Sequence, residues 1–200
     1  MKHVPNALTI TRILVTPFLL TFLFFDSLFG YGWALALFVF ASISDWADGK
    51  VARHFSVGSR LGQFLDPIAD KVLVLGTFVA LIFILPESVT WWLVAVIAAR
   101  DASVTGLRLW LRRDNKTLRT SRKAKWKTAF QLTFLIAVLL LLTVSNTVEP
   151  VRSWADVALN SHFVFWGLVV VAAVTVWTGI IYFTDKELVE TPNVNERHEG

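Results

Sequence analysis

Cysteine is absent from this chain, which excludes disulfides, thiolate nucleophiles and zinc–thiolate centres. Histidine is sparse: His3, His54, His162 and His198 fall at no metal-ligand spacing and carry no assigned role. Charge is scarce as well. Only 17% of the 200 residues are charged against 55% hydrophobic, and the mean hydropathy is +0.59; this is too apolar for a soluble domain and too short for several independent ones. No internal repeat is visible, and residues 13–25 lack the small-residue cleavage site of a signal peptide, so they are expected to remain in the mature chain. These exclusions leave a small membrane protein, with one domain over residues 1–185 and a polar, disordered tail expected at 186–200. Sixteen Phe and nine Trp suit lipid contact. Trp33, Trp91, Trp92, Trp154 and Trp166 lie near the expected ends of apolar runs, where amphipathic rings prefer the interface.

Apolar segments at about 6–25, 31–53, 63–85, 90–111, 126–145 and 161–183 predict six transmembrane helices in an all-α, polytopic fold. The connections at 26–32, 86–90 and 145–160 contain one basic residue, Arg152, whereas those at 50–62 and 108–127 are rich in Lys and Arg. The positive-inside rule therefore places both basic connections and both termini in the cytoplasm. The second basic connection sets Arg108, Arg112, Arg113, Lys116, Arg119, Arg122, Lys123, Lys125 and Lys127 against a single acid, Asp114. Topology and attraction to anionic headgroups account for most such charges. On helices the spacing says more: Asp101, Thr105, Arg108 and Arg112 form one polar stripe, and Lys123 and Lys127 share a face with Gln131.

Against this apolar background stand four aspartates, in Asp45-Trp-Ala-Asp48-Gly49-Lys-Val-Ala52-Arg53 and, eight residues later, Gly62-Gln-Phe-Leu-Asp66-Pro-Ile-Ala-Asp70. A carboxylate near lipid costs several kcal/mol unless it is paired, solvated or bound to a cation. From the cytoplasmic ends, Asp48 and Asp45 lie roughly 7 and 12 Å up the second helix, and Asp66 and Asp70 roughly 5 and 10 Å up the third. Spacings of three and four residues put each pair on one face. A tight connection through Gly58 makes the two helices antiparallel neighbours, so all four carboxylates can face one point. Arg100 and Arg12 reach the same layer, which becomes a polar cavity open to the cytoplasm; Arg100 also has a buried ion pair with Asp101 available to it.

Four convergent carboxylates repel unless divalent cations compensate them, and an all-oxygen donor set suits Mg²⁺, Mn²⁺ or Ca²⁺. Two ions a few ångströms apart serve displacement at phosphorus. Gly49, Ala52 and Gly62 leave space for a bulky anion, although small residues equally permit close helix packing. Arg53 is placed to bind a phosphate or a base. Intramembrane carboxylates also mark cation and proton transporters, the competing class.

The run Asp-x2-Asp-Gly-x2-Ala-Arg-x8-Gly-x3-Asp-x3-Asp matches, at every defined position, the signature of the CDP-alcohol phosphatidyltransferase family, which this chain therefore resembles. The resemblance implies six transmembrane helices, a homodimer, and a divalent-metal reaction in which an alcohol displaces CMP from a CDP-linked lipid. It implies Asp45, Asp48, Asp66 and Asp70 as ligands of two Mg²⁺ or Mn²⁺ ions, with Asp70 also the general base. Gly49, Ala52, Arg53 and Gly62, together with Asn6 and Thr9, are implied as the cytidine diphosphate pocket. Over roughly the first two-thirds, the chain further resembles members that use glycerol 3-phosphate. The similar stretches are Pro5-Asn6-Ala-Leu8-Thr9-Ile-Thr-Arg12, Leu65 to Lys71, Ala99-Arg100-Asp101 and Lys125-Trp-Lys127-Thr128, with Asp101 where Glu is common and Ala124 where Gly usually precedes the lysine.

The expected partners are thus CDP-diacylglycerol, glycerol 3-phosphate, membrane lipids and a second copy of the chain, with no nucleic acid. The expected location is the inner (plasma) membrane with the site facing the cytoplasm. Arg100, Arg108, Arg112, Lys125 and Lys127 are the cations available for the acceptor's phosphate. The same chemistry with phosphatidylglycerol, giving cardiolipin, or with inositol phosphate remains the alternative.

Overall fold

In this computed structural model the backbone is described for residues 4–55, 60–113, 117–118, 122–147, 149, 151–184 and 189–190, and side chains for 11–44, 71–107, 111, 127–147, 149, 151–181 and 184. Among the described residues there are seven helices: α1 (Val4–Leu23), α2 (Leu28–Phe55), α3 (Arg60–Ile84), α4 (Trp91–Arg113), α5 (Arg122–Ser145), α6 (Val151–Asn160) and α7 (Phe163–Thr184). Two short strands, β1 (Thr117–Leu118) and β2 (Val189–Glu190), pair antiparallel with Thr117 opposite Glu190. The six predicted segments correspond to α1 to α5 and α7. The seventh helix, α6, falls in the stretch read as a connection. Its polar Arg152, Ser153 and Asp156 break the apolar run, yet Ala155 and Leu159 face inward while Trp154 is 78% exposed.

Each helix buries one stripe. On α2 this is Tyr31, Ala34, Phe38 and Ala41; on α3, Leu73, Thr77 and Ala80; on α5, Lys127, Gln131, Leu135, Leu139 and Leu142. The three- and four-residue steps are those of an inward helix face. α1 packs against both α2 and α3, α5 against α2, α6 and α7, and α4 against α7 and, less extensively, α3. The outward faces are apolar too: Phe18, Phe40, Phe83, Val170 and Trp177 are all exposed. A bundle apolar outside as well as inside suits a bilayer, where the backbone must be satisfied within helices. Hydroxyls follow the same rule, and Thr16, Thr77, Thr105 and Thr143 each donate to the carbonyl four residues back. Among the described residues two stretches, Lys127–Ser145 and Phe163–Ile181, are by length and composition long and apolar enough to cross a membrane.

The turn from α1 to α2 is closed by Ser27, whose Oγ accepts the Gly30 amide at 3.1 Å and so caps α2. Gly30 sits so close that a Cβ there would collide with the carbonyl oxygen of Phe25. Gly30→Ala should therefore cost about 1–3 kcal/mol through forced backbone displacement, a fall of several degrees in a tryptophan-fluorescence melt. An unchanged melting temperature would show that the turn opens freely.

Candidate active site

The buried stripes run directly into the positions singled out by sequence. On α2 the steps 31, 34, 38, 41 continue through 45, 48 and 52, the positions of Asp45, Asp48 and Ala52. On α3 the steps 80, 77, 73 continue back through Asp70 and Asp66. On α1 buried Leu23, Leu19, Thr16 and Arg12 continue back to Thr9, with Asn6 one turn earlier. The side chains of Asn6, Thr9, Asp45, Asp48, Gly49, Ala52, Arg53, Gly62, Asp66 and Asp70 lie outside the described residues, as do those of Arg108, Arg112 and Lys125; their backbones are helical. The convergence of the four carboxylates therefore stands as an expectation. Among the described residues no group of His, Asp or Glu could hold a metal ion.

α1 and α3 touch closely at Gly76. A Cβ on Gly76 of α3 would lie 3.5 Å from Leu20 Cδ1 and 3.8 Å from Thr16 Cγ2 of α1. Asp70 lies six residues before Gly76, about 9 Å along α3 from this contact. Arg12 is 4% exposed, so α1 carries a buried cation on the face that packs toward α3.

The described part of the site is centred on Asp101 of α4, whose side chain is 4% exposed. Lys127 of α5 donates from Nζ to Asp101 Oδ2 at 2.5 Å, and Arg100 donates from Nη1 to Oδ1 at 3.1 Å. Lys71 of α3, one residue beyond Asp70, brings its Nζ to 3.6 Å from Oδ2. Arg100 reaches α7 through its other terminal nitrogen, with Nη2 at 3.0 Å from Thr178 Oγ1. Gln131, one turn above Lys127, points its amide at Thr175 Oγ1 of α7 at 3.4 Å, at the limit of a hydrogen bond. Four helices thus meet in one polar layer.

Of the predicted acceptor cations, the structure brings Arg100 and Lys127 together, and it does so through Asp101, which the sequence places on the polar stripe of α4 and beside Arg100. On α4 the buried positions Val94, Ile97, Asp101, Val104 and Leu111 leave one place vacant in their three-and-four rhythm, and Arg108 occupies it. Thr175, Thr178 and Gly179 are not singled out by the sequence, and Lys71 enters there only in the family-like stretch and as a candidate partner of a neighbouring aspartate. The available signals were small: a lysine directly after Asp70, and a Thr-x2-Thr-Gly patch in the otherwise strongly apolar α7. A separate cavity of about 400 Å³ lies at the other end of the bundle, lined by Glu87, Ser88, His162 and Phe165 among others; it shares no residue with the polar layer.

Helices carrying paired aspartates beside a cationic layer define a class that comparison with known proteins makes explicit. The chain belongs to the CDP-alcohol phosphatidyltransferase family, whose sequence model matches residues 2–177. The CDP-diacylglycerol–glycerol-3-phosphate 3-phosphatidyltransferase of Cereibacter sphaeroides is 33% identical over 210 residues, covering 90% of this chain and 93% of that protein. The Arabidopsis thaliana chloroplastic/mitochondrial protein of the same name, numbered 1, is 32% identical over 190 residues, which cover 89% of this chain and 60% of the relative. A Mycobacterium bovis protein named provisionally as a cardiolipin synthase is 30% identical over 187 residues, or 93% of this chain and 83% of that protein.

Proposed function

We propose that this chain transfers the phosphatidyl group of CDP-diacylglycerol to glycerol 3-phosphate, giving phosphatidylglycerophosphate and CMP. The observation that supports a phosphate-bearing acceptor is the charge count of the polar layer, where Lys71, Arg100 and Lys127 share one described carboxylate, Asp101; among such acceptors the names of the relatives favour glycerol 3-phosphate. Those four groups leave an excess of positive charge, which suits a phosphate monoester carrying about −1.5 to −2 at neutral pH. An uncharged alcohol would gain nothing from it.

In this reading α1 to α5 and α7 span the inner (plasma) membrane, with both termini and the site on the cytoplasmic side, and two copies form the dimer that the family resemblance implies. The acyl chains of the donor stay in lipid. Its nucleotide enters among Asn6, Thr9, Gly49, Ala52, Arg53 and Gly62, where the small Gly49, Ala52 and Gly62 leave room for the diphosphate and Arg53 pairs with it. The helix positions and all-oxygen chemistry of Asp45, Asp48, Asp66 and Asp70 fit hard divalent ions, Mg²⁺ or Mn²⁺. Such ions, when bound, neutralise the diphosphate and stabilise charge on the departing CMP. Arg100, Lys127 and Lys71, with Arg108, Arg112 and Lys125 toward the cytoplasmic ends, hold the acceptor's phosphate. Asp70 removes the proton of the acceptor's primary hydroxyl. That oxygen bonds to the lipid-side phosphorus, the phosphoanhydride P–O bond breaks, and CMP leaves with the bridging oxygen and its electron pair.

The test is detergent-purified protein with CDP-diacylglycerol, Mg²⁺ and labelled glycerol 3-phosphate, read as labelled lipid together with CMP. Metal-dependent product that chelation abolishes is the expected result. CMP released only with phosphatidylglycerol would favour the cardiolipin reading, which the mycobacterial relative supports, and CMP released only with inositol phosphate would move the acceptor again.

A further inference from the structure

α7 runs from Phe163 to Thr184 without a single charged residue, yet one of its turns touches Arg100. The contact is specific. A Cβ on Gly179 would stand 2.8 Å from Arg100 Cγ, 2.9 Å from its Nε and 3.4 Å from its Cδ. The stem of Arg100 therefore lies across the bare backbone of Gly179. These atoms are the middle of the side chain, so room for a methyl at 179 cannot be made by swinging the tip aside; Arg100 would have to change rotamer.

Thr178 completes the seat. Its Oγ1 lies 2.9 Å from the Val174 carbonyl and 3.0 Å from that of Thr175, so its one proton is committed to α7's own backbone and its lone pair faces Arg100 Nη2 at 3.0 Å. Arg100 Nη1 is meanwhile held by Asp101. A guanidinium tied at both terminal nitrogens, with its stem laid in a glycine slot, has its orientation determined by two helices. A glycine inside a helix costs about 1 kcal/mol relative to alanine, a cost that the seat offsets.

We propose that Thr178 and Gly179 of α7 are positioning residues that aim Arg100 at the acceptor's phosphate, so that an uncharged helix sets the affinity for the charged substrate. The inference rests on the acceptor reading above. The role is one of aim: the charge of Arg100 is untouched by changes at 178 or 179, and only its direction alters.

The experiment is steady-state kinetics of the full chain carrying Gly179→Ala, Thr178→Val, Arg100→Ala and the double change Gly179→Ala with Arg100→Ala. Gly179→Ala should raise KM for glycerol 3-phosphate about tenfold or more, the effect of misdirecting one charge-assisted hydrogen bond. Turnover at saturation and KM for CDP-diacylglycerol should stay within about threefold. Thr178→Val, which keeps the shape and removes the lone pair, should move KM in the same direction by a smaller factor. In the Arg100→Ala background Gly179→Ala should add nothing, because the group it acts through is gone. Equal losses from Gly179→Ala with and without Arg100, or a KM unchanged in both Gly179→Ala and Thr178→Val, would overturn the seat. A parent protein that turns over no glycerol 3-phosphate would instead overturn the acceptor reading, so the two failures are distinguishable. Should Gly179→Ala fail to fold, the Thr178→Val cycle with Arg100→Ala decides by the same criterion.

Discussion

Replacing Asp101 with alanine should unfold this protein more readily than any other single change in the polar layer. The carboxylate is nearly inaccessible and three cations converge on it, two of them with side chains only 10% and 11% exposed. Removing it leaves Lys127 and Arg100 buried beside each other and beside Lys71 with their shared counter-charge gone. Breaking a buried pair from one side typically costs about 3–5 kcal/mol, because it leaves buried charge without its counter-charge. For a chain of this size that is a drop in melting temperature on the order of 10 °C. A fluorescence melt in detergent reads it directly, and Asp101→Glu is the control: it restores a carboxylate and should recover most of the loss. A melt indistinguishable from the parent would mean that the three cations do not depend on Asp101. Activity would then be the more sensitive readout of the layer's arrangement.

Asp70→Asn should reduce turnover by about a hundredfold to ten-thousandfold, the range of general-base help, equivalent to about 3–5 kcal/mol of barrier. Asparagine preserves the shape but can neither take up the acceptor's proton nor offer the negative charge that a hard cation requires. CMP release should fall for every acceptor alike, since any alcohol bound at the site must lose its hydroxyl proton in the step that is impaired. A tenfold excess of Mg²⁺ separates the two roles: recovery would assign Asp70 to metal binding alone, and a loss insensitive to metal identifies the missing base. A variant with raised acceptor KM and intact turnover would contradict both roles. Because Lys71 is the next residue and reaches Asp101 at 3.6 Å, the comparison also tests whether the carboxylate helices and the acceptor layer work as one site.

Much of this site is legible from residues alone, for an energetic reason. Ionisable side chains in strongly apolar sequence are costly enough that each demands a purpose, so Asp45, Asp48, Asp66, Asp70, Arg100 and Lys127 stand out with no structure in hand. Periodicity adds the face: the steps that bury Ala34, Phe38 and Ala41 are the steps that carry Asp45 and Asp48. Helix α6 escaped because a short amphipathic helix never sustains the apolar run by which spans are recognised, while its Trp154 was already read as an interfacial residue.

The sequence by itself determined a membrane protein, the six long apolar segments, the polar faces of the helices that carry the aspartates and the basic residues, and the carboxylate motif by which the family is recognised, because hydropathy, helical period and the cost of buried charge act locally along the chain. Only the tertiary structure decided that Asp101 is the hub of Lys71, Arg100 and Lys127, and that α7 supplies Thr178 and Gly179 to hold Arg100. Those contacts join residues 26 and 78 positions apart. A helical repeat says which side of a helix faces its neighbours, but which neighbour stands there is settled by how all the helices fill the bundle together.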